Sequence, residues 1–548
     1  MIDSVKDATG LRAPAVRKAP AAVLAAVVAA VVVAMLALAP ASAGGQLAAA
    51  EVGNEVPATP SDLIRKYANN SPLLASDPTD RRFVVMANRL DSPDFGCALQ
   101  VSGSGGRGWL SAAPVPKLPP GADKCYAPEV VFDAKGRLYY LFVGLRGRGN
   151  EPMGVFLTTS DDRARTFSEP KRVLGPLRFM VRMALDPTGG ERGRLHLVWL
   201  EAGADPPLGG FAPVPNPIMA AFSDDGGRTF SPPVQISDRD RPRAVAPALA
   251  LGPGGAVHVL YYDLEDDVRD YQGLEGPRFE GTWSLVLTSS ADGGRSFGPG
   301  VVVDDQVVPP ERVMLIFTMA PPALAADGRG RLFAAWYDGR NGDWDVFLRT
   351  SGDAGRTWSD ARRLNDDPVG NGRHQYLPRL SVAPTDRVDA IWYDRRGNVE
   401  NRGNDVYYTH STDGGATFVS NVKASSVDSD SFIGPVYDVP SALGLKEIGS
   451  RLGLLSEPTR ALAAWTDTRN TGRASPAQDI FVAEIALAGV TASPPSRAPG
   501  AAPRGGGGDG GDGGVGRWMA VAVVGVLALA TVARAGRRRG RAPGAGER

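Results

Sequence analysis

Three segments set tryptophan, aspartate and arginine at one fixed spacing: Trp336-Tyr337-Asp338-Gly339-Arg340, Trp392-Tyr393-Asp394-Arg395-Arg396 and Trp465-Thr466-Asp467-Thr468-Arg469. A carboxylate beside a guanidinium can accept two parallel hydrogen bonds, and a ring of such groups at a channel mouth would suit a sugar acid or a cation. A motif that recurs unit by unit also serves as an inter-unit salt bridge or turn, and a catalytic residue should break the repeat. Asp338 and Asp394 are therefore candidates whose simpler reading is structural. A second set comprises Arg182, Arg243, Arg312, Arg373 and Arg451, each before or opening an apolar segment, with His374 and Tyr376 close by. The stretch after Tyr262 is acidic, with Asp263, Glu265, Asp266, Asp267 and Asp270. Oxygen-rich clusters suit Ca²⁺, which makes Asp263, Asp266 and Asp267 the metal candidates, although the spacing matches no EF-hand and a solvated loop is simpler. His196 and His258 alternate with apolar residues and read as structural. The chain shows no zinc motif, phosphate-binding loop, serine nucleophile elbow or dinucleotide fingerprint.

The elements that must position these residues come from a repeat. Ser223-Asp224-Asp225-Gly226-Gly227-Arg228-Thr229-Phe230 returns at Ser290, Ser351 and Ser411, more loosely at Ser160 with Ala164 in place of glycine, and in worn form at Ser102. The opening serines are 58, 63, 67, 61 and 60 residues apart, and a fixed period marks a repeat architecture. The aspartates Asp162, Asp225, Asp292, Asp353 and Asp413 can bond the amides of their own turns, and glycine supplies a positive φ. Each motif thus reads as a tight turn between two strands, with the closing aromatic tucked beneath it.

These turns resemble the Asp box, or BNR repeat, of sialidases and their non-sialidase relatives. The resemblance implies an all-β propeller of four-stranded blades. Aligning the segments between boxes gives seven units, with six as the alternative because sialidases have six. First strands begin at Pro72, Pro128, Val181, Pro247, Pro322, Pro378 and Arg451. The boxes join strand three to strand four, so they mark one face and direct the search for a site to the other. The resemblance also implies what sialidase chemistry would need: three arginines on a substrate carboxylate, a tyrosine nucleophile activated by a glutamate, and an aspartate acid/base. Arg182, Arg243, Arg312, Arg373 and Tyr376 are the candidates for those roles. The Arg-Ile-Pro signature of sialidases is absent and no Tyr/Glu pair stands out from the repeat.

The 60 basic and 60 acidic residues cancel, which argues against a nucleic-acid partner. Arg12, Arg17 and Lys18 precede an apolar run ending in Pro40-Ala41-Ser42-Ala43, the layout of a signal peptide over 1–43, with an uncleaved anchor as the competing reading. Residues 44–60 read as a flexible leader, 61–488 as the propeller and 489–517 as a Pro/Gly-rich linker. Trp518 to Ala533 carries no charge and precedes an arginine cluster; it reads as a short transmembrane segment with a basic cytoplasmic tail over 534–548. That layout also resembles bacterial C-terminal sorting tails. The two ends are thus expected to be hydrophobic helices, and Cys97 and Cys125, both in the exported part, a disulfide. The expectation is a cell-envelope protein, single-pass with its propeller outside, that binds glycans or protein partners. The alternative is an exo-α-sialidase-type glycoside hydrolase. No cofactor is implied beyond the Ca²⁺ that the acidic loop could hold.

Overall fold

The computed structural model describes residues 50–59, 68–91, 94–110, 116–190, 192–202, 215–267, 279–309, 321–430, 448–470 and 478–487. These residues form seven antiparallel sheets. The innermost strands are Asn69–Asp77, Lys124–Phe132, Arg178–Asp186, Ala244–Leu251, Ala323–Ala326, Gln375–Val382 and Gly453–Ser456. Each packs on the next and the seventh packs on the first, so the sheets close a seven-bladed ring. Closure by rotation leaves no long sheet edge to be paired by another chain.

The seams hold the ring together. Seven apolar clusters occupy them, one between each pair of neighbouring blades. Trp199, Trp336, Trp392 and Trp465, at equivalent places on second strands, are among the largest fully buried side chains. Period-two alternation cannot explain them alone, because both faces of a propeller blade are covered and the second strands read as continuous apolar runs.

The seventh blade corrects the sequence reading. Its inner three strands come from the C-terminal end, and its outermost strand is Ala50–Val52, paired Ala50 to Leu487 and Val52 to Ile485. Val56–Pro57 pairs further along with Val482 and Phe481. The flexible leader expected over 44–60 is therefore strand from Ala50 to Val52 and again at Val56–Pro57. A three-residue strand carries too little pattern to be seen in sequence. Because this blade takes its fourth strand from the other end of the chain, it has no turn from strand three to four and so no Asp box. Among the described residues the first blade has three strands, with a bridge from Val101 to Leu110 on its outer side.

The boxes fold as their chemistry requires. Ser223 Oγ donates to Asp225 Oδ1 at 2.8 Å, the Gly227 amide donates to Ser223 Oγ at 2.9 Å, and Thr229 Oγ1 donates to Asp225 Oδ2 at 2.6 Å. Gly227 has φ +84°, and a Cβ there would meet Leu157 Cδ2 at 2.3 Å. In the looser copy Arg163 and Ala164 both take positive φ, 60° and 59°, while the hydrogen bonds persist. There the Thr166 hydroxyl and amide hold the Asp162 carboxyl down to about 2. Among the described residues there is no α-helix, only a 3₁₀ turn at Pro253–Gly255, and no helix is long and apolar enough to cross a membrane. The expected terminal helices lie outside the described residues. Cys97 and Cys125 form the expected disulfide, joining the first blade to the second.

Candidate functional site in the central channel

Five inner strands share one irregularity. Their register slips between Asn70 and Leu73, Tyr126 and Glu129, Phe179 and Arg182, Val245 and Ala248, and Tyr376 and Arg379. At each slip one non-glycine residue has left-handed φ: Ser71 (56°), Ala127 (49°), Met180 (51°), Ala246 (54°) and Leu377 (52°). In four of the five, proline follows, and its missing N–H costs nothing where the ladder is already interrupted. A bulge re-aims the side chains after it, and the residues just beyond, Leu73, Glu129, Arg182, Ala248 and Arg379, all line the central channel.

Three of the channel residues are arginines. Arg182 comes from the third blade, Arg379 from the sixth, and Arg451 precedes the inner strand of the seventh; with Glu129 of the second they border a cavity of about 450 Å³. Glu129 is 5% exposed. It accepts an ion pair from Arg451 Nη1 and another from Arg182 Nη1 at 3.3 Å. Backbone carbonyls hold both guanidiniums in place: Arg182 Nε donates to Pro247 O at 3.2 Å, Arg451 Nη2 to Pro128 O at 2.6 Å and Arg451 Nε to Ser71 O at 3.1 Å. Arg379 differs. Its guanidinium has no hydrogen-bond partner among the described residues, and its Nε is sealed from solvent. Burial, with Arg451 the next cause, lowers its guanidinium to about 10, and burial also lowers that of Arg182 against the pull of Glu129. A guanidinium held this way is short of negative charge. Arg182 and Arg451 also border a smaller cavity of about 50 Å³, lined by Ser71, Tyr126 and Met180 near the strand starts.

The other sequence candidates lie elsewhere. Arg243 donates to Glu265 O at 2.6 Å and Arg373 to Val399 O at 2.6 Å; neither lines the channel cavity. Arg312 lies outside the described residues. Tyr376 is packed beneath Arg395, with its hydroxyl donating to Asn404 Oδ1 at 2.8 Å and accepting from Arg395 Nη2 at 3.1 Å. His374 stacks on Trp344 at 4.4 Å, and burial lowers its ring to about 4. Asp338 and Asp394 are fully buried corner groups. Asp338 Oδ2 accepts from Trp336 Nε1 at 2.8 Å and Arg340 Nη2 at 2.6 Å, and Asp394 Oδ2 accepts from Trp392 Nε1 at 2.9 Å and Arg396 Nη2 at 2.8 Å. Arg340 reaches back to Asp304 of the preceding blade at 2.8 Å. These corners tie strands and blades together and leave no open valence for a ligand.

In the acidic stretch, Asp263 pairs with Arg241 at 2.8 Å and Asp267 accepts from Trp283 Nε1 at 3.1 Å. Asp270 lies outside the described residues, and no cluster of three or more potential metal-ligating side chains exists among those described. Sequence reading missed Arg379 because it sought arginines standing before strands. The available signal was a column: aligned by their prolines, the first strands place Glu129, Arg182 and Arg379 where other blades carry leucine or alanine.

Comparison with known families adds a match of residues 217–436 to the BNR repeat-like domain. Comparison with curated proteins finds no match. Similar solved structures include a protein of unknown function from Dyadobacter fermentans DSM 18053, at 12% identity over 80% of this chain and 99% of that one, TM-score 0.43. An ulvan lyase shows 12% identity over 78% and 95%, TM-score 0.43. The endosialidase of phage phi92 shows 12% identity over 82% and 71%, TM-score 0.43. With its boxes folded as described and residues 217–436 matched to the BNR repeat-like domain, the chain is a seven-bladed β-propeller that carries BNR, or Asp-box, repeats of the kind its turns resemble.

Proposed function

We propose that this propeller is a binding module for acidic glycans, taking an anionic group of the ligand into its central channel between Arg182, Arg379 and Arg451. Arg379 carries the reading. An unpaired guanidinium in a part-buried channel destabilises the fold, and a charge kept at that cost belongs to a ligand more readily than to the scaffold. The glycan part of the proposal rests on the planar, forked guanidinium suiting sugar carboxylates and sulfates, and on a cavity within the usual range for small-ligand sites. As further parts of the same proposal, the chain is exported, its C-terminal apolar segment holds it in the cell envelope, and the propeller faces outward.

Three arginines near one another also favour a second reading, hydrolysis of the sialidase type. Against it stands the described lining of the two cavities, which offers one carboxylate, Glu129, already held between two guanidiniums; glycosidase chemistry calls for an acid/base and a nucleophile that are free to act. The purified full-length chain on an array of acidic and neutral glycans is expected to retain acidic ones only, with retention weakened in Arg379→Ala. Retention of neutral glycans alone would overturn the proposal, and release of a fluorogenic sialoside would move the assignment to the hydrolase. Protease shaving of intact cells should remove the propeller if the topology holds.

A further inference from the structure

Building on that reading, we infer that the channel is matched to a ligand with two negative charges, one met by Arg379 and one by the Arg182–Arg451 pair, and that Glu129 sets this valence. The charged side chains lining the cavity are three arginines and one glutamate. Glu129 bridges Arg182 and Arg451 and cancels one positive charge, so the pair keeps a single net charge and Arg379 contributes another. The rest of the wall is uncharged, with Leu73, Ala248, Leu249 and Leu324 among its apolar members. Charge interactions are weakly screened in such surroundings. A monoanion leaves one guanidinium unpaired, whereas a dianion neutralises both positions. The carbonyl bonds that fix Arg182 and Arg451 mean that these donors need little reordering when the ligand arrives, which lowers the entropic cost of binding. A single sugar carboxylate underfills this site; a sulfated uronic-acid disaccharide fills it.

The test is calorimetric titration of the full-length chain at low salt with three disaccharides of one skeleton: an unsulfated uronic acid, its monosulfated form and a neutral analogue. The sulfated form is expected to bind at least about tenfold tighter than the unsulfated one, and the neutral analogue not to bind. Arg379→Met should erase the advantage of the second charge. It removes no hydrogen bond among the described residues, so the variant should fold. Glu129→Gln should widen the advantage by uncovering a third positive charge. Equal affinity for the two acids in the wild-type chain, or an advantage that survives Arg379→Met, would overturn the two-charge inference while leaving anion binding intact. Failure of both acids to bind would remove the anion-binding proposal itself, and this inference with it.

Discussion

Arg340 and Arg379 stand in neighbouring blades and put one functional group to opposite uses. The Arg340 guanidinium bonds Asp338 and Asp304 and lies over the rings of Trp336 and Phe347 at 5.5 and 4.6 Å. Its charge is met by carboxylates of the protein itself. Arg379 lies in the largely apolar channel wall and meets no side-chain acceptor among the described residues. Arg396 and Arg469 repeat the first arrangement, each lying over an aromatic ring, Tyr407 at 4.1 Å and Phe481 at 4.0 Å. Repetition and saturation go together at the corners; in the channel the repeat is broken and the charge is left open. Arginine abundance is therefore uninformative in this family of folds, and what separates scaffold from site is whether the protein itself completes the guanidinium.

The largest effect that would break this contrast is expected at a corner. Asp394→Ala leaves Trp392 Nε1 buried without its acceptor and strips Arg396 of its closest carboxylate, leaving it Asp366 and Asn421; the change should cost about 3 kcal/mol, read from urea melts, while binding of the acidic disaccharides stays unchanged. A loss of binding without a loss of stability would place Asp394 in the site after all. The next effect exposes a flaw within the corners. Asp345 is paired by Arg363 and Asp405 by Lys423, each cation on a fourth strand. In the seventh blade Pro57 takes that position, opposite Phe481, and among the described residues Asp479 has no cation on a fourth strand: Asn470 Nδ2 donates to one oxygen at 3.0 Å and the Thr59 hydroxyl also favours the ionised form.

Asp467 lies directly across from Asp479 and is itself bonded by Arg469, which also pairs with Glu55. Burial raises the Asp479 carboxyl to about 6. An acid raised on folding binds its proton more tightly in the native state, so its penalty is absent below the unfolded value near 4, grows as pH rises, and is complete above about 6. Asp479→Asn should therefore raise stability at pH 8 by up to about 3 kcal/mol and change it little at pH 4. Equal melting gains at both pH values would show the carboxylate to be satisfied. The smallest effect is the sharpest test of the contrast: Arg379→Met should leave stability within about 1 kcal/mol of wild type or slightly above it, because it removes an unpaired charge. A loss of several kcal/mol on thermal melting would return Arg379 to the scaffold.

The seven-bladed ring was legible because the Asp box couples a local turn to a fixed position in each blade. Ser223, Asp225 and Gly227 each have a local reason to be where they are, and five copies fix the period. The corners were legible as a repeat, and the expectation that a repeating Trp-x-Asp-x-Arg serves structure agrees with the bonds of Asp338 and Asp394. Arg182 and Arg451 were visible as candidates but not as partners, since Glu129 lies 53 residues from one and 322 from the other. Arg379 was hidden by the bulge at Leu377. Across a register slip, reading along the strand gives the wrong neighbours, and only the geometry shows which residues it turns toward the axis.

The strand Ala50–Val52 gives the molecule a direction in time as well as a closure. Its partners, Ile485 to Leu487, are made more than four hundred residues later. The opening strand of the ring has no place to dock until the final sheet exists, so the blades between must be assembled, or at least made, before the circle can shut. Contacts of such separation form slowly. A chain cut short anywhere before Asp479 has no sheet for Ala50–Val52 to complete, and its first and last blades are left with an open seam. Completion of the ring thus reports that synthesis reached the far side of the propeller.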